Sequence, residues 1–287
     1  MTVKSVAIVL ALSAGALALA LVYGTLRWEE GTRTLRARLD TARTASAPAP
    51  ARFDARALDT LPLSVQRYLR AVLSDGQPAI ASVDIEHAGS LNMSETGQDW
   101  KRFTSTQKVI ARRPGFDWNA RVAMLPGLPV RVHDAYVAGE GILHAALLGL
   151  LPVADQRGGG DIARGELMRF LAEAAWYPTV LLPGNGVRWD AVDARTAHAT
   201  LSDGDLSVAL TFGFNDDGLL DTVRADARGR SIGGQTVPTP WQGRFWNYEL
   251  RQGIRIPLEG EVAWLLPGRA HPYWRGRITR IAYQFAE

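Results

Sequence analysis

The stretch Leu206-Ser207-Val208-Ala209-Leu210-Thr211-Phe212-Gly213-Phe214 decides the fold class, because large apolar side chains alternate with small or polar ones along all nine residues. Successive side chains of a β-strand point to opposite faces of a sheet, so this pattern predicts a strand that buries one face. The same alternation runs through residues 116–124, where Phe116, Trp118 and Val122 share one face. These two segments are the clearest strands in the chain.

Weaker period-two patterns predict nine more strands. They cover residues 83–91, 101–110, 130–138, 187–192, 197–202, 220–228, 241–250, 254–265 and 274–285. Turn sequences such as Ser202-Asp203-Gly204 and Arg251-Gln252-Gly253 separate neighbouring strands and favour hairpins. The prediction is a large antiparallel meander, curved like half a barrel, because flat open sheets of about ten strands are uncommon.

Two helical patterns lie within this β-rich region. Residues 63–73 and 161–174 each repeat apolar side chains at helical spacing. We expect both helices to cover the concave face of the sheet, which gives an α+β fold that is mainly β. The solvent-facing side of the second helix is predicted to carry Arg164, Glu166, Arg169 and Glu173.

The N-terminus carries an uncharged apolar run of 22 residues, from Ser5 to Leu26. At a rise of roughly 1.5 Å per residue the run spans about 33 Å, enough to cross a hydrocarbon core. We predict a single transmembrane helix, with a signal peptide cleaved after Ala18-Leu19-Ala20 as the alternative. The five arginines after the run favour a cytoplasmic body, whereas the short N-terminal tail favours export. We expect a cell-membrane protein whose body is extracytoplasmic.

The charge distribution separates a membrane-proximal segment from the rest of the chain. The net charge is +3 in residues 27–57 and −1 in residues 58–287. We divide the chain into an anchor or signal segment (1–26), a basic juxtamembrane helix or solvated stalk with a Pro/Ala linker at 44–51 (27–57), and a single β-rich domain (58–287). The basic segment suits anionic membrane lipid. A nucleic-acid partner is not expected, because a phosphate-binding body should itself be basic.

Local motifs of enzymes and metal proteins are missing from the sequence. The chain has no Cys, which excludes disulfides, thiolate zinc sites and cysteine nucleophiles. Its five His residues never reach metal-binding spacing, and no phosphate-binding loop or dinucleotide fingerprint occurs. We therefore predict no catalytic residues, no metal site and no cofactor.

Aromatic residues form the most notable constellation, since eight of the nine Trp lie in the predicted β-rich domain. Trp118 and Trp189 fall in phase with inward strand positions. Such residues either fill the core of a wide sheet or line a cavity for acyl chains. The candidate ligand-binding residues are Trp118, Trp176, Tyr177, Trp189, Phe212, Trp241, Glu166 and Arg169.

Two charged groups are considered beside the aromatic ones. Glu166 and Arg169 share a helix face, and Arg169 also reaches Glu173. If these residues are exposed, they form ordinary surface ion pairs. If the sheet encloses the helix, a buried ion pair could bind a head group or hold a proton. Glu259 and Glu261 lie about 7 Å apart on one strand face, as paired catalytic carboxylates do, but no third partner lies within sequence reach.

Several segments resemble a bacterial family of unknown function whose members often carry N-terminal membrane segments. The likeness covers residues 58–286 and implies no activity. It rests on Leu61-Pro62-Leu63-Ser64-Val65-Gln66-Arg67-Tyr68-Leu69, Pro114-Gly115-Phe116-Asp117-Trp118, Asp134-Ala135-Tyr136-Val137-Ala138-Gly139-Glu140-Gly141, Gly165-Glu166-Leu167-Met168-Arg169-Phe170-Leu171-Ala172-Glu173 and Pro272-Tyr273-Trp274-Arg275-Gly276-Arg277. The predicted architecture is also similar to the lipoprotein-carrier fold of the Lol system and its mycobacterial lipid-binding relatives. That resemblance implies a curved sheet and helices around an apolar cavity.

The expected function is binding or carriage of an apolar ligand, a lipid or a lipoprotein acyl chain, in a cavity of the curved sheet. One alternative is a membrane-associated enzyme that uses Glu166, Arg169, His133 or the Glu259/Glu261 pair in that cavity. A second alternative is an envelope scaffold, which predicts a filled core and an exposed apolar patch.

Overall fold

The computed structural model describes residues 3–44, 52–125 and 127–286, and its body is a 13-stranded antiparallel sheet. The strands are β1 Ile80–Asn92, β2 Trp100–Ile110, β3 Gly115–Leu125, β4 Leu128–Val137, β5 Glu140–Leu147, β6 Leu151–Gly158, β7 Val187–Ala191, β8 Thr196–Asp203, β9 Leu206–Phe214, β10 Leu220–Ile232, β11 Gln235–Arg251, β12 Ile254–Leu266 and β13 Arg269–Phe285. The helices are α1 Val3–Thr44, α2 Leu63–Val72 and α3 Gly160–Ala172, with short 3-10 helices at Ala55–Thr60, Glu173–Trp176 and Pro178–Leu181. The predicted mainly-β antiparallel fold is confirmed.

The first and last strands meet in the middle of the sheet. The strand order is β6-β5-β4-β3-β2-β1-β13-β12-β11-β10-β9-β8-β7. Strands β1–β6 form one half of the sheet and β7–β13 the other, and we call these halves the two wings. The chain runs from the centre to one edge in the first wing and from the other edge back to the centre in the second. β1 pairs with β13 from Ile80 opposite Phe285 to Leu91 opposite Trp274. The edge strands β6 and β7 are connected by α3 and the two 3-10 helices that follow it.

Two strands, β5 and β6, were not predicted from the sequence. β5 buries residues on both faces, including Ile142 and Ala145, so its apolar residues do not alternate. β6 is an edge strand with mostly exposed side chains and a proline, Pro152. Neither strand produces the period-two signal on which strand prediction depends.

The sheet curves around α3. This helix contacts β3, β4, β5 and β6 in one wing and β9 and β10 in the other, which requires the two wings to bend toward each other. α2 lies on the same concave side, where Tyr68 packs 5.4 Å from the ring of Phe214. The predicted placement of both helices on the concave face is confirmed. The α-helix ends at Ala172, two residues earlier than predicted, because Glu173–Trp176 tightens into a 3-10 turn.

α1 continues without a break from the apolar run and packs on the convex face. Leu35, Leu39 and Ala42 are buried there against outward-facing residues of β2, β4 and β5. Those residues are Ile110, Ala135, Val137 and Ile142. Residues 27–44 are therefore a docked helix and not a solvated stalk. Most of the predicted Pro/Ala linker, residues 45–51, lies outside the described residues.

A buried polar cluster reinforces this docking. The carboxylate of Asp117 is fully buried; it accepts a hydrogen bond from Nδ1 of His133 at 2.7 Å and lies 3.4 Å from Nε of Arg36. Trp28 stacks on the His133 ring with centroids 4.5 Å apart and donates from Nε1 to Asn119 at 3.0 Å. Outward-facing side chains of β3 and β4 thus bind one side of α1 through polar and stacking contacts.

Gly24 fixes the closest approach of α1 to the β5–β6 turn. A Cβ at Gly24 would lie 2.5 Å from the carbonyl oxygen of Leu148 and 2.7 Å from Cγ of Leu150. We expect Gly24→Ala to lower the free energy of unfolding by about 1–3 kcal/mol, because overpacking at a backbone contact forces the helix away. Denaturant titration of the full chain in micelles measures the change. Gly15→Ala is the control, since a Cβ at Gly15 meets nothing within 4 Å; equal stability of both variants would contradict the prediction.

One helix among the described residues, the Leu10–Thr44 part of α1, is long and apolar enough to cross a membrane. Its most apolar 18-residue window is only 6% buried in the protein. A signal sequence near the N-terminus has the same length and apolar composition. The predicted apolar N-terminal helix is thus observed.

Candidate functional site

A cavity of about 220 Å³ lies between the concave face and α3. Its apolar walls come from strands of both wings, including Leu91, Val132, Leu143 and Val262. Its aromatic lining consists of Trp118, Trp176, Trp241, Phe245, Tyr273 and Trp274. Its charged lining includes Asp134, Arg169, Glu173 and Arg228. Apolar and charged groups thus meet in one cavity on the concave side.

Two of the lining indoles have an unused hydrogen-bond donor. Nε1 of Trp118 and Nε1 of Trp176 are buried and have no partner among the described residues. Trp241, by contrast, donates from Nε1 to the hydroxyl of Tyr273 at 2.9 Å. An unpaired buried donor costs roughly 1–3 kcal/mol. An acceptor brought within hydrogen-bond distance of either indole nitrogen would remove that cost.

Arg169 is the central charge of the site. Its Nη1 donates to Asp134 at 2.5 Å and its Nε to Glu173 at 2.7 Å, and it packs over the ring of Trp118 at 5.1 Å. Glu173 also accepts a hydrogen bond from Gln107 at 2.6 Å. Asp134 reaches the cavity because the sheet register pairs it with Trp118, which puts both on the concave face. Arg169 is thus a buried cation with two carboxylate partners.

Glu166 and Arg228 form a looser pair behind this group. Nη2 of Arg228 lies 4.0 Å from Oε1 of Glu166, and Oε2 of Glu166 has no partner among the described residues. Burial, and then the negative charge of Asp134, raise the pKa of Glu166 well above its ordinary value. The raised pKa favours the neutral acid at Glu166, so this contact compensates only weakly for the charge of Arg228, whose side chain is 11% exposed.

The placement of these residues corrects one expectation. Glu166, Arg169 and Glu173 were predicted on the solvent-facing side of the helix, but they face the concave interior, with side chains no more than 14% exposed. The reason is that the curved sheet encloses α3 from both wings. The polar side of the helix therefore faces the cavity.

The pH dependence of stability tests the state of Glu166. Because its folded pKa is raised, the folded protein holds a proton there that the unfolded chain loses above about pH 4.5, so stability falls as pH rises through that range. We expect Glu166→Gln to flatten this slope, with a gain of about 1.4 kcal/mol above the range for each unit by which the pKa was raised. Unfolding titrations between pH 4 and 9 measure it. The exposed Glu30→Gln is the control, and an unchanged slope in Glu166→Gln would refute the prediction.

The other candidate ligand residues lie in the filled core. Trp189 packs edge-to-face on Phe212 with ring centroids 5.0 Å apart and donates from Nε1 to the carbonyl of Leu181 at 3.0 Å. The hydroxyl of Tyr177 donates to the carbonyl of Phe170 at 2.7 Å. None of these three candidates, Tyr177, Trp189 and Phe212, belongs to the cavity lining. Trp118, Trp176, Trp241 and Arg169 do belong to it.

Of the groups considered for catalysis, Arg169 and Glu261 line the cavity, whereas His133, Glu166 and Glu259 do not belong to its lining. His133 faces α1 on the convex side, opposite in direction to its neighbour Asp134. Glu259 binds Trp246 and Asn247, and Glu261 pairs with Arg275. Within residues 3–44, 52–125 and 127–286, no group of three or more His, Cys, Asp or Glu is arranged to hold a metal ion.

Sequence reasoning missed several residues of the site. Asp134, Arg228, Tyr273 and Trp274 line the cavity, and His87 lies behind it with its ring 5.1 Å from Trp176. Burial, and then the charge of Arg169, lower the pKa of His87 to about 3, so the ring is neutral. One of these residues, Asp134, could have been found from the sequence. It lies on the inward face of a predicted strand whose other inward residues are apolar.

Comparison with known proteins gives a family and two solved folds. The sequence profile of a family of unknown function, DUF6920, matches residues 59–283. The chain belongs to the DUF6920 family. This confirms the resemblance to a family of unknown function. The DUF6920 match includes every residue that lines the cavity and leaves α1 outside. No curated protein matched the chain.

Two solved structures are similar to this DUF6920 protein. A LolA-superfamily protein from Nitrosomonas europaea is 11% identical, with a TM-score of 0.37, covering 71% of this chain and 86% of that one. A β-barrel-like protein of a different unknown-function family, DUF1849, from Brucella abortus is also 11% identical, with a TM-score of 0.22, covering 72% and 99%. At these values neither likeness bears on what the DUF6920 chain binds.

Proposed function

We propose that this protein is a membrane-tethered binding protein that holds an apolar chain, from a lipid or a lipoprotein, in the concave cavity. The observation that carries the proposal is the combination of an apolar cavity with two unpartnered indole donors and the charged side chain of Arg228 in its lining. A mainly apolar pocket with a few convergent polar groups is typical of small-molecule sites.

The polar groups indicate where the head of the ligand would lie. Arg169 is already neutralised by Asp134 and Glu173. Arg228 lies 4.0 Å from Glu166, whose raised pKa favours the neutral acid, and 3.4 Å from the Tyr273 hydroxyl, so we assign it as the cation that meets an anionic head group. The indoles of Trp118 and Trp176 would donate to further ligand oxygens. The proposed ligand is therefore amphipathic, with oxygen atoms at the head.

The cavity volume limits the apolar part of the ligand. Its 220 Å³ is below the range of about 300–1,000 Å³ that is common for pockets of drug-sized ligands. We expect it to hold a segment of one acyl chain and not a whole two-chain lipid.

Ligand extraction and refilling test the proposal. The full chain, transferred from detergent to amphipol, is extracted with organic solvent for mass spectrometry and then titrated with 11-(dansylamino)undecanoic acid. We expect an extractable acyl compound and saturable binding that Arg228→Gln weakens by about tenfold or more, as loss of a charged hydrogen-bond donor implies. Arg224→Gln is the matched control, because Arg224 lies on the same strand but is exposed and binds Gln242. Finding no extractable compound and no uptake would refute the proposal.

The continuity of α1 supports a retained anchor over a cleaved signal. The same helix that carries the apolar run is packed against the body from Gly24 to Ala42. The body is proposed to lie on the extracytoplasmic side of the cell membrane. A reporter fused to the C-terminus, active on only one side of the membrane, tests the orientation, and Edman sequencing of the mature N-terminus tests the anchor.

A further inference from the structure

The β3–β4 and β5–β6 turns present exposed apolar side chains beside the apolar part of α1. Leu125 and Leu128 flank the first turn and are 61% and 37% exposed. Leu151 and Val153 follow the second turn and are 63% and 60% exposed. Four such side chains on adjacent turns are unusual for a surface that faces only water.

The position of these turns relative to the apolar run is fixed by direct contacts. Gly24 lies against Leu148 and Leu150 in the β5–β6 turn, and Nη2 of Arg131 in β4 donates to the hydroxyl of Thr25 at 3.2 Å. Gly24 is two residues inside the end of the apolar run, about 3 Å along the helix axis. The β5–β6 turn therefore lies at the depth where the apolar run ends.

The register shows that the β3–β4 turn reaches at least as far. Val130 pairs with Leu147 at the end of β5, and β4 begins two residues beyond, at Leu128. The opposite end of the sheet lies far from this level, because Ala42 packs near Ile110 there. Gly24 and Ala42 are separated by about 27 Å along α1.

We propose that the tips of the β3–β4 and β5–β6 hairpins insert into the bilayer interface beside α1, so that the body is held on the membrane by three elements and not by one tether. The occupant of this apolar surface is the lipid bilayer. The proposal rests on the membrane-tethered function proposed above. It goes beyond it by assigning a second lipid contact to the folded body.

The surrounding charges fit an anionic lipid surface. Arg27 and Arg121 are exposed, and Arg131 is half-buried opposite Arg121, with Glu29 as a nearby acid. Tyr23, 61% exposed, lies one residue before Gly24, at the level where Tyr is enriched at membrane interfaces. Basic side chains near anionic head groups each add roughly 1 kcal/mol of attraction.

The proposed surface also adjoins the cavity. Val132 lines the cavity, and Val130, two residues nearer the turn on the same face, is half-buried, as is its partner Leu147. A continuous apolar wall of β4 and β5 thus runs from the hairpin tips to the ligand site. Inserting the tips would place the end of this wall in contact with lipid.

Single-cysteine labelling tests the insertion directly, because the chain has no native Cys. Leu128→Cys, Leu151→Cys, Leu17→Cys and Leu250→Cys are each labelled with a nitroxide in the full chain and reconstituted in vesicles of phosphatidylcholine and phosphatidylglycerol. Leu17 reports on the apolar run, and Leu250 is a control at the opposite end of the sheet that is 67% exposed. Accessibility of each label to oxygen and to a nickel chelate measures its depth.

We expect the ratio of oxygen to nickel accessibility at Leu128→Cys and Leu151→Cys to shift toward that at Leu17→Cys, while Leu250→Cys keeps the ratio of an aqueous site. If the label at Leu17→Cys lies in hydrocarbon while both hairpin labels lie in water, the insertion proposal is overturned and the tether is not. All four labels in water would overturn the tether as well.

Discussion

Arg169→Met is expected to lower the free energy of unfolding by about 3–5 kcal/mol at neutral pH. The substitution leaves Asp134 and Glu173 as buried carboxylates without a cation, which is the most costly way to break a buried ion pair. It also removes the guanidinium from the rings of Phe116 and Trp118. Denaturant titration of the full chain in micelles, followed by tryptophan fluorescence, measures the loss.

Two further variants identify the cause of this loss. The combination of Arg169→Met with Asp134→Asn and Glu173→Gln is expected to recover most of the stability, because neither position 134 nor position 173 then holds a buried carboxylate without its cation. Arg188→Met is the matched control, since the exposed Arg188–Asp190 pair contributes at most about 1 kcal/mol. A loss below 1 kcal/mol in Arg169→Met would show that water reaches the site and that Arg169 is not a buried charge.

Asp117→Ala is expected to release α1 from the convex face and to cost about 2–3 kcal/mol. Asp117 is fully buried under the helix, and its loss removes the charged acceptor of His133 and the ion-pair partner of Arg36. The expected signature is local, with α1 residues 32–42 becoming accessible while the sheet stays folded. Hydrogen exchange of α1 amides, compared with those of β11 and β12, measures it.

Asp84→Ala is the matched control for this variant. Asp84 is an exposed aspartate on the outward side of β1, which is separated by β2 from the strand that carries Asp117. We expect it to leave exchange in α1 unchanged and stability within about 0.5 kcal/mol. If Asp117→Ala also leaves exchange in α1 unchanged, the polar cluster does not fasten the helix, and the packing of Leu35 and Leu39 must do so alone.

The alternation of apolar and polar residues predicted most of the sheet, because it arises in strands that bury only one face. Strands β3 and β9 are of this kind. This pattern missed β5 because α1 covers its outer face, so that both faces of the strand carry apolar residues. The neighbouring Ala135-Tyr136-Val137 segment of β4 has the same property. Consecutive apolar residues within a strand indicate that another element, here α1, packs on the convex face.

The candidate site was only partly accessible to sequence reasoning. The phase of a strand shows that Trp118 and Trp189 both point inward, but it does not show where the concave face is filled. Trp118 borders the cavity, whereas Trp189 packs against Phe212. The solvent-facing prediction for Glu166 was wrong because a helix pattern cannot show that a curved sheet encloses both sides of the helix. The ligand role of these residues stays a prediction.

The meeting of β1 and β13 at the centre of the sheet has a consequence for biosynthesis. Ser82 and Gln284, whose side chains are joined by a hydrogen bond, are 202 residues apart in the chain. At roughly 5–20 residues per second, β1 waits on the order of ten seconds or more for its partner to be synthesised. During this time its edge is open to pairing with other chains.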